Sequence, residues 1–282
     1  MGGAFVAVAD DATAIYWNPA GLATGDFLSL LLDHSRAGAW DPGRLRALPA
    51  AGAGTIAALS TNEVGFAYYR LRVDDAHSLV THNVAISGAQ FVLPGVSFGT
   101  SLRYVRAAAG PGRLTLGSAA AGLARGNLPL DALGQHAFDL DAGVLIGGDA
   151  VRVGLVARNL RQPRLEAPGG GGIRLDRRIR AGLAVRTVAG LQVSADLDLT
   201  RSGPDAAGGS RRGAAAGAER WFGRWFAVRG GARVNLEAED PRVVGAVGLS
   251  IALMSGVYLD GQLTGGRDSP ERSWGVAARV GF

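Results

Sequence analysis

The sequence predicts an all-β fold, a transmembrane antiparallel β-barrel of about fourteen strands. Three observations predict it: apolar residues alternate with polar or small ones along most of the chain, the connections alternate between long and short, and the last segment alternates to a terminal aromatic residue.

The alternation is cleanest at 226–236, where Phe226, Val228, Ala232, Val234 and Leu236 share one face and Arg229, Gly231, Arg233 and Asn235 the other. Leu191, Val193, Ala195, Leu197 and Leu199 oppose Gln192, Ser194, Asp196, Asp198 and Thr200 in the same way. Carried along the chain, the pattern gives strands at 27–34, 53–60, 63–72, 80–92, 95–107, 136–146, 150–161, 174–188, 190–201, 212–222, 224–236, 242–254, 256–264 and 272–282. Many reach ten residues, the length of a tilted strand crossing a bilayer.

Long connections at 35–52, 73–79, 108–135, 162–173, 202–211, 237–241 and 265–271 alternate with tight turns such as Leu93-Pro94 and Gly223. Short turns on one side and long loops on the other are the asymmetry of bacterial outer-membrane barrels. Trp274, Val276, Ala278, Val280 and Phe282 alternate to the end of the chain, so Trp274 and Phe282 are read as a barrel-assembly signal.

With the apolar faces towards lipid, the lumen receives Arg103, Asp139, Asp141, Arg152, Arg158, Arg178, Arg180, Arg186, Asp196, Asp198, Glu219, Arg229, Arg233, Asp260 and Arg279. Mixed signs there allow pairing or hydration. Tyr68, Tyr69, Trp221, Trp225, Phe226, Tyr258 and Trp274 fall near strand ends, as interfacial girdles do.

Composition removes whole classes of chemistry. There is no cysteine, which excludes disulfide scaffolds, thiolate metal sites and cysteine nucleophiles. There is no lysine either, so all 29 basic residues are Arg and neither a Walker A loop nor Schiff-base chemistry is possible. The net charge of +5 is carried by arginines spread singly or in pairs, which does not make a nucleic-acid surface. No apolar run approaches the ~20 residues of a membrane-spanning helix. Asp139/Asp141 and Asp196/Asp198 have the period-two spacing of any polar strand face and lack the glycine-containing calcium loop. Gly169 to Gly172 lacks the strand-to-helix context of a phosphate cradle, and His34, His77, His82 and His136 are far apart in sequence. No catalytic constellation is found; neither an enzyme nor a cofactor nor a metal is expected.

The stretch from Gly2 to Ala23, GGAFVAVADDATAIYWNPAGLA, is unlike anything after it. It resembles the N-terminal block of the PorV/PorQ-like outer-membrane proteins, grouped with the FadL-type hydrophobic-compound transporters. The matching positions are Gly2, Gly3, Ala4, Phe5, Ala9, Asp10, Asp11, Ala12, Trp17, Asn18, Pro19, Ala20 and Gly21. Weaker echoes are Val156 to Leu160, Gly217 to Glu219 and Arg229 to Gly231.

The resemblance implies a fourteen-stranded barrel, 27–282, with residues 1–26 folded inside as a plug or hatch. Its plug residues would be Gly2, Gly3, Asp10, Asp11, Trp17, Asn18, Pro19 and Gly21, with Asp10, Asp11 and Asn18 as polar anchors. It also implies a place in the cell outer membrane, in contact with its lipid and with the barrel-assembly machinery. The function would be passage of hydrophobic small molecules, or type IX secretion with exported protein cargo held at the surface. A structural or adhesive barrel with a sealed lumen and partner-binding loops is the alternative. Relatives carry a signal peptide and a short leader before this block, so a truncated or misassigned start is expected here.

Overall fold

The structure, a computed structural model, describes residues 1–37, 52–74, 77–111, 135–166, 172–188, 190–202, 210–238, 241–266 and 272–282. Its strands are β1 (Leu28–Ala37), β2 (Gly52–Thr61), β3 (Val64–Asp74), β4 (His77–Leu93), β5 (Val96–Pro111), β6 (Gln135–Gly147), β7 (Val151–Arg158), β8 (Arg164–Glu166), β9 (Gly172–Arg174), β10 (Arg178–Arg186), β11 (Leu191–Asp198), β12 (Gly213–Phe222), β13 (Phe226–Asn235), β14 (Val243–Met254), β15 (Val257–Gly265) and β16 (Ser273–Gly281). Fourteen of them close into one antiparallel barrel, each paired with its neighbour in sequence, except that β8 and β9 form a separate hairpin and β7 pairs directly with β10. Closure is made by β1 against β16, Ser29 opposite Gly281, with Leu28 and Phe282 exchanging backbone hydrogen bonds at 3.2 and 3.0 Å. A closed sheet leaves no unpaired edge, the condition for crossing lipid with strands.

The barrel is inside-out relative to a soluble core. Leu30, Leu32, Phe66, Ile86, Leu102, Val153, Leu183, Val247 and Leu249 are exposed on the outer wall, while Ser29, Ser97, Ser101, Arg103, Asp139, Asp141, Ser194, Asp196 and Asp198 are buried within. The alternation dictates this, because successive side chains of a strand point to opposite faces. Short turns after β2, β4, β6, β10, β12 and β14 connect strands at one end; Gly95, Gly190, Gly223 and Gly256 there take φ of 61° to 78°, as tight hairpins require.

Some expected boundaries move. The strand expected at 150–161 ends at Arg158, because Asn159 turns left-handed at φ 55° and leaves the ladder. The strand expected from 174 starts at Arg178, and the expected loop 162–173 contains the β8–β9 hairpin. The strand expected to run to 201 stops at Asp198, after which Thr200 accepts a side-chain hydrogen bond from the Ile179 N–H at 2.9 Å. The expected loops 35–52 and 108–135, and most of the Gly169–Gly172 run, lie outside the described residues. The girdle reading fails for three aromatics: Tyr69 is buried inside, Trp221 donates its indole N–H to Glu219 at 3.1 Å, and Tyr258 lies under Arg279. Trp221 shares its strand face with Glu219 and Tyr258 with Asp260, and Tyr69 takes a hydrogen bond from Arg103.

A plug-like segment and its seat in the lumen

Residues 1–25 run through the lumen, nearer the short-turn end, and touch the inner wall on most of its circumference. Met1 lies against Gly217 and Gly231 on adjacent strands β12 and β13. Ser194 donates to the Ala4 carbonyl at 2.9 Å, and the Asp196 carboxylate accepts the Phe5 and Val6 N–H groups at 2.9 and 3.1 Å. Further along, Ser29 accepts the Ala12 N–H at 3.1 Å and Ser97 donates to the Ala20 carbonyl at 2.9 Å. A backbone without a sheet of its own must find such partners, and short lumen hydroxyls and a carboxylate supply them.

The segment contains two short helical pieces, a helical turn α1 (Ala14–Trp17) and a 3-10 helix (Pro19–Thr24). Asp11 prepares the first by accepting the Thr13 N–H at 2.9 Å, an Asx turn. Asn18 joins the two. Wholly buried, it accepts the Ala20 N–H at 3.2 Å and donates to the Val6 and Val144 carbonyls at 3.0 and 3.2 Å, so one side chain ties the helix start, the earlier segment and strand β6 together. Pro19 takes the first helical position, where no N–H is missed.

Close approach is possible because the wall is glycine where the segment touches it. A Cβ at Gly65 would lie 2.7 Å from Ile15, one at Gly154 2.5 Å from the Val6 carbonyl, and one at Gly182 2.9 Å from the Val6 side chain. At Gly99 a Cβ would enter the Pro19–Ala20 peptide, and at Gly143 it would enter the Asn18 carboxamide. Within the segment, Gly21 is required by the Ala9 carbonyl against it. The apolar remainder packs as Ala9, Ala12, Ala14, Ile15 and Leu22 against Leu31, Ala58, Ala67, Tyr69 and Ala85, and as Ala7 and Ala20 against Leu145 and Ala184. The cavity left beside Ala7, Val8, Arg152 and Arg186 is about 10 Å³, roughly one water site.

Charges fasten the segment and line the space beyond it. Asp10 pairs with Arg152 at 3.1 Å and Asp11 with Arg279 at 3.5 Å. Trp17 stacks on Phe5 with ring centres 5.4 Å apart, and Tyr16 meets Trp17 and Tyr69 edge-on. Arg158 sits 4.2 Å over the Tyr16 ring and lowers its phenol pKa below the ordinary value.

Above Tyr16, Arg103 bridges Asp139, Asp141 and Asn159, and reaches the Tyr69 hydroxyl at 3.3 Å. Asn159, left-handed, also donates its N–H to Asp141 at 2.8 Å and its side chain to the Asp176 carbonyl at 2.9 Å. On the adjoining strands β10 and β11, Arg178 and Arg180 grip the two oxygens of Asp198, at 2.7 to 3.1 Å. A third group joins Arg229 to Glu219 and Asp260, with Arg279 on Asp260 at 3.4 Å. Arg186, at the turn end, bonds Gln192 at 2.8 Å, and Arg233 faces inward one row outside Gly231 on β13.

Every lumen residue read from the sequence thus lies on an inner strand face. Of the eight segment residues, Asp10, Asp11 and Asn18 bond the wall, Trp17 stacks, Pro19 and Gly21 shape the 3-10 helix, and Gly2 and Gly3 take φ of 64° and 99°. The sequence reading missed the seat itself: Ser29, Ser97, Ser194, Tyr69 and the wall glycines. A signal for the glycines existed, since glycine inside a strand marks close backbone approach. Trp274 borders His34 at 6.0 Å between ring centres on the barrel exterior.

No protein-family model matches the chain, and no curated protein matches it in sequence. Solved structures do match, over nearly the whole chain. The CymD monoaromatic hydrocarbon channel is similar at TM-score 0.70 and 14% identity, covering 100% of this chain and 95% of its own. The toluene transporter TodX of P. putida is similar at TM-score 0.65 and 11% identity, covering 96% and 94%. A Pseudomonas aeruginosa FadL homologue is similar at TM-score 0.64 and 12% identity, covering 99% and 96%. The chain therefore has the fold of the FadL-type outer-membrane channels.

Proposed function

We propose that the protein is a channel of the bacterial outer membrane for hydrophobic small molecules, with residues 1–26 as a movable plug in the barrel of 27–282. The observation that carries this reading is the seat. The segment is held by dispersed hydrogen bonds, two ion pairs that touch solvent and contacts with small wall residues, and not by a sheet of its own or a covalent tie, in a barrel whose fold is that of hydrocarbon channels. Such a seat can be left and regained. Asp10, Asp11, Asn18 and Trp17 act as its anchors, and Trp274 and Phe282 as the signal read by the barrel-assembly machinery.

The absence of native cysteine makes the test direct. Ala7 and Ala184 pack together, so Ala7→Cys with Ala184→Cys places the only two thiols across the seat. In proteoliposomes the oxidised form should block uptake of a hydrophobic solute and reductant should restore it. Equal uptake in both redox states would sink the movable plug. The opening block favours a second reading, a PorV-type accessory of type IX secretion. Co-isolation of secreted cargo, with no solute uptake in either redox state, would favour that reading.

A further inference from the structure

The outer wall of β1–β6 carries an ordered change of chemistry towards the long-loop end. Cross-strand register makes an apolar, mainly aliphatic row from Leu30 through Leu59, Phe66, Ile86 and Leu102 to Leu140. The next row contains Tyr68, Val84, Tyr104 and Phe138. Beyond it the row is His34, Thr55, Arg70, His82, Arg106 and His136, one residue from each of six consecutive strands. Three of the chain's four histidines are in that row.

Two bonds tie the aromatic row to it, Tyr68 hydroxyl to His82 Nδ1 at 2.8 Å and Tyr104 hydroxyl to His136 Nδ1, and His34 bonds Thr55 at 3.0 Å. Directly opposed residues on neighbouring strands have Cβ atoms ~5 Å apart, where like charges repel. Arg70 and Arg106 flank His82, and neither guanidinium has a carboxylate partner among the described residues. The described outward side chains around them are Arg36, Ala53, Arg72 and Val80 above and the aromatic row below; none is acidic. On β10, two strands beyond β6 around the barrel, Ile179, Ala181, Leu183 and Val185 run outward without a charge.

We propose that this row binds the phosphate groups of membrane lipids, holding phosphorylated headgroups against one side of the barrel. The order apolar, aromatic, cationic follows a leaflet from acyl chains to headgroups, and strand tilt inclines the row without changing that order. Among the described residues no carboxylate answers these guanidinium groups, and a lipid phosphate supplies the countercharge in bidentate fashion. The site needs only that the outer wall meets lipid; it is independent of whether the lumen conducts.

Native mass spectrometry of the full chain in neutral detergent tests it, with a bis-phosphorylated lipid A as probe. Wild type should bind that lipid in preference to its dephosphorylated form. Arg70→Gln with Arg106→Gln should weaken binding about twenty-five-fold, from about fivefold per arginine. Arg220→Gln, an outward arginine at the turn end of β12, should change nothing. If the double variant loses its heat-modifiable migration, the two single variants decide, each at about fivefold. Equal binding by the arginine variants, equal binding of the dephosphorylated lipid, or displacement by an equimolar amount of inorganic phosphate would each overturn the proposal.

Discussion

Replacing Asn18 by Ala removes the one side chain that binds the segment to itself and to the wall at once. Three hydrogen bonds are lost: to the Val6 and Val144 carbonyls at 3.0 and 3.2 Å, and from the Ala20 N–H at 3.2 Å. At about 1 kcal/mol each in a buried site, the loss is about 3 kcal/mol, or about a hundredfold in the seating equilibrium. Water entering from the lumen would satisfy part of what is exposed, which sets a floor of about tenfold. The strands are untouched, so heat-modifiable migration should be kept. Two measurements then report seating: proteolytic cleavage within residues 1–26 of the folded barrel, which tracks the open population, and opening frequency in planar bilayers. Both should rise between about tenfold and about a hundredfold. An intact barrel with neither changed would refute the role assigned to Asn18, and with it the idea that local bonds hold the segment in place.

Glycine at the seat gives a paired prediction. In Gly182→Ala the new methyl meets Asp196 Oδ1 at 2.5 Å, Val6 Cβ at 2.9 Å and the Ala7 nitrogen at 3.0 Å, whereas at Gly261 a Cβ meets nothing within 4 Å. Gly182→Ala should therefore loosen the segment by about 1–3 kcal/mol and Gly261→Ala should not, as read by the same cleavage rates. Tyr16 supplies a pH dependence. Its phenol pKa is lowered by Arg158, so the seated state favours the phenolate; the stabilisation is present above the ordinary tyrosine range and is lost as pH falls through the depressed value. Titration of phenolate absorbance should show one early tyrosine that disappears in Tyr16→Phe and moves to higher pH in Arg158→Gln; an unchanged titration in either variant would count against the contact.

How much of this was legible depended on period. A barrel strand writes its two faces into the sequence at every second residue, so Phe226 to Leu236 and Leu191 to Thr200 declared both their existence and their lumen side. Ends were less legible, because they are set by single residues acting at a distance: Asn159 stops β7 by bonding Asp141 on β6 and Asp176 beyond the small hairpin. Girdle aromatics could not be told from lumen aromatics by position alone; only parity with Glu219 and Arg279 puts Trp221 and Tyr258 inside. The opening segment was recognisable by its resemblance, but its partners were not, since serines and glycines on a strand look the same whether they face water or a neighbouring backbone.

The span of the seat has a consequence for how the molecule is made. Ala4 bonds Ser194 and Phe5 bonds Asp196, 190 and 191 residues away, while Asp11 reaches Arg279 across 268. Contacts of that separation form late, because the intervening chain must be ordered before they return anything. The first residues of the chain therefore have no lodging until β11 and β16 exist, and they must stay soluble and uncommitted through the whole of strand assembly. Its alanines, glycines and two carboxylates give a premature partner little to hold, whereas Phe5, Val6, Ile15, Tyr16, Trp17 and Leu22 must be kept from one until the seat is complete.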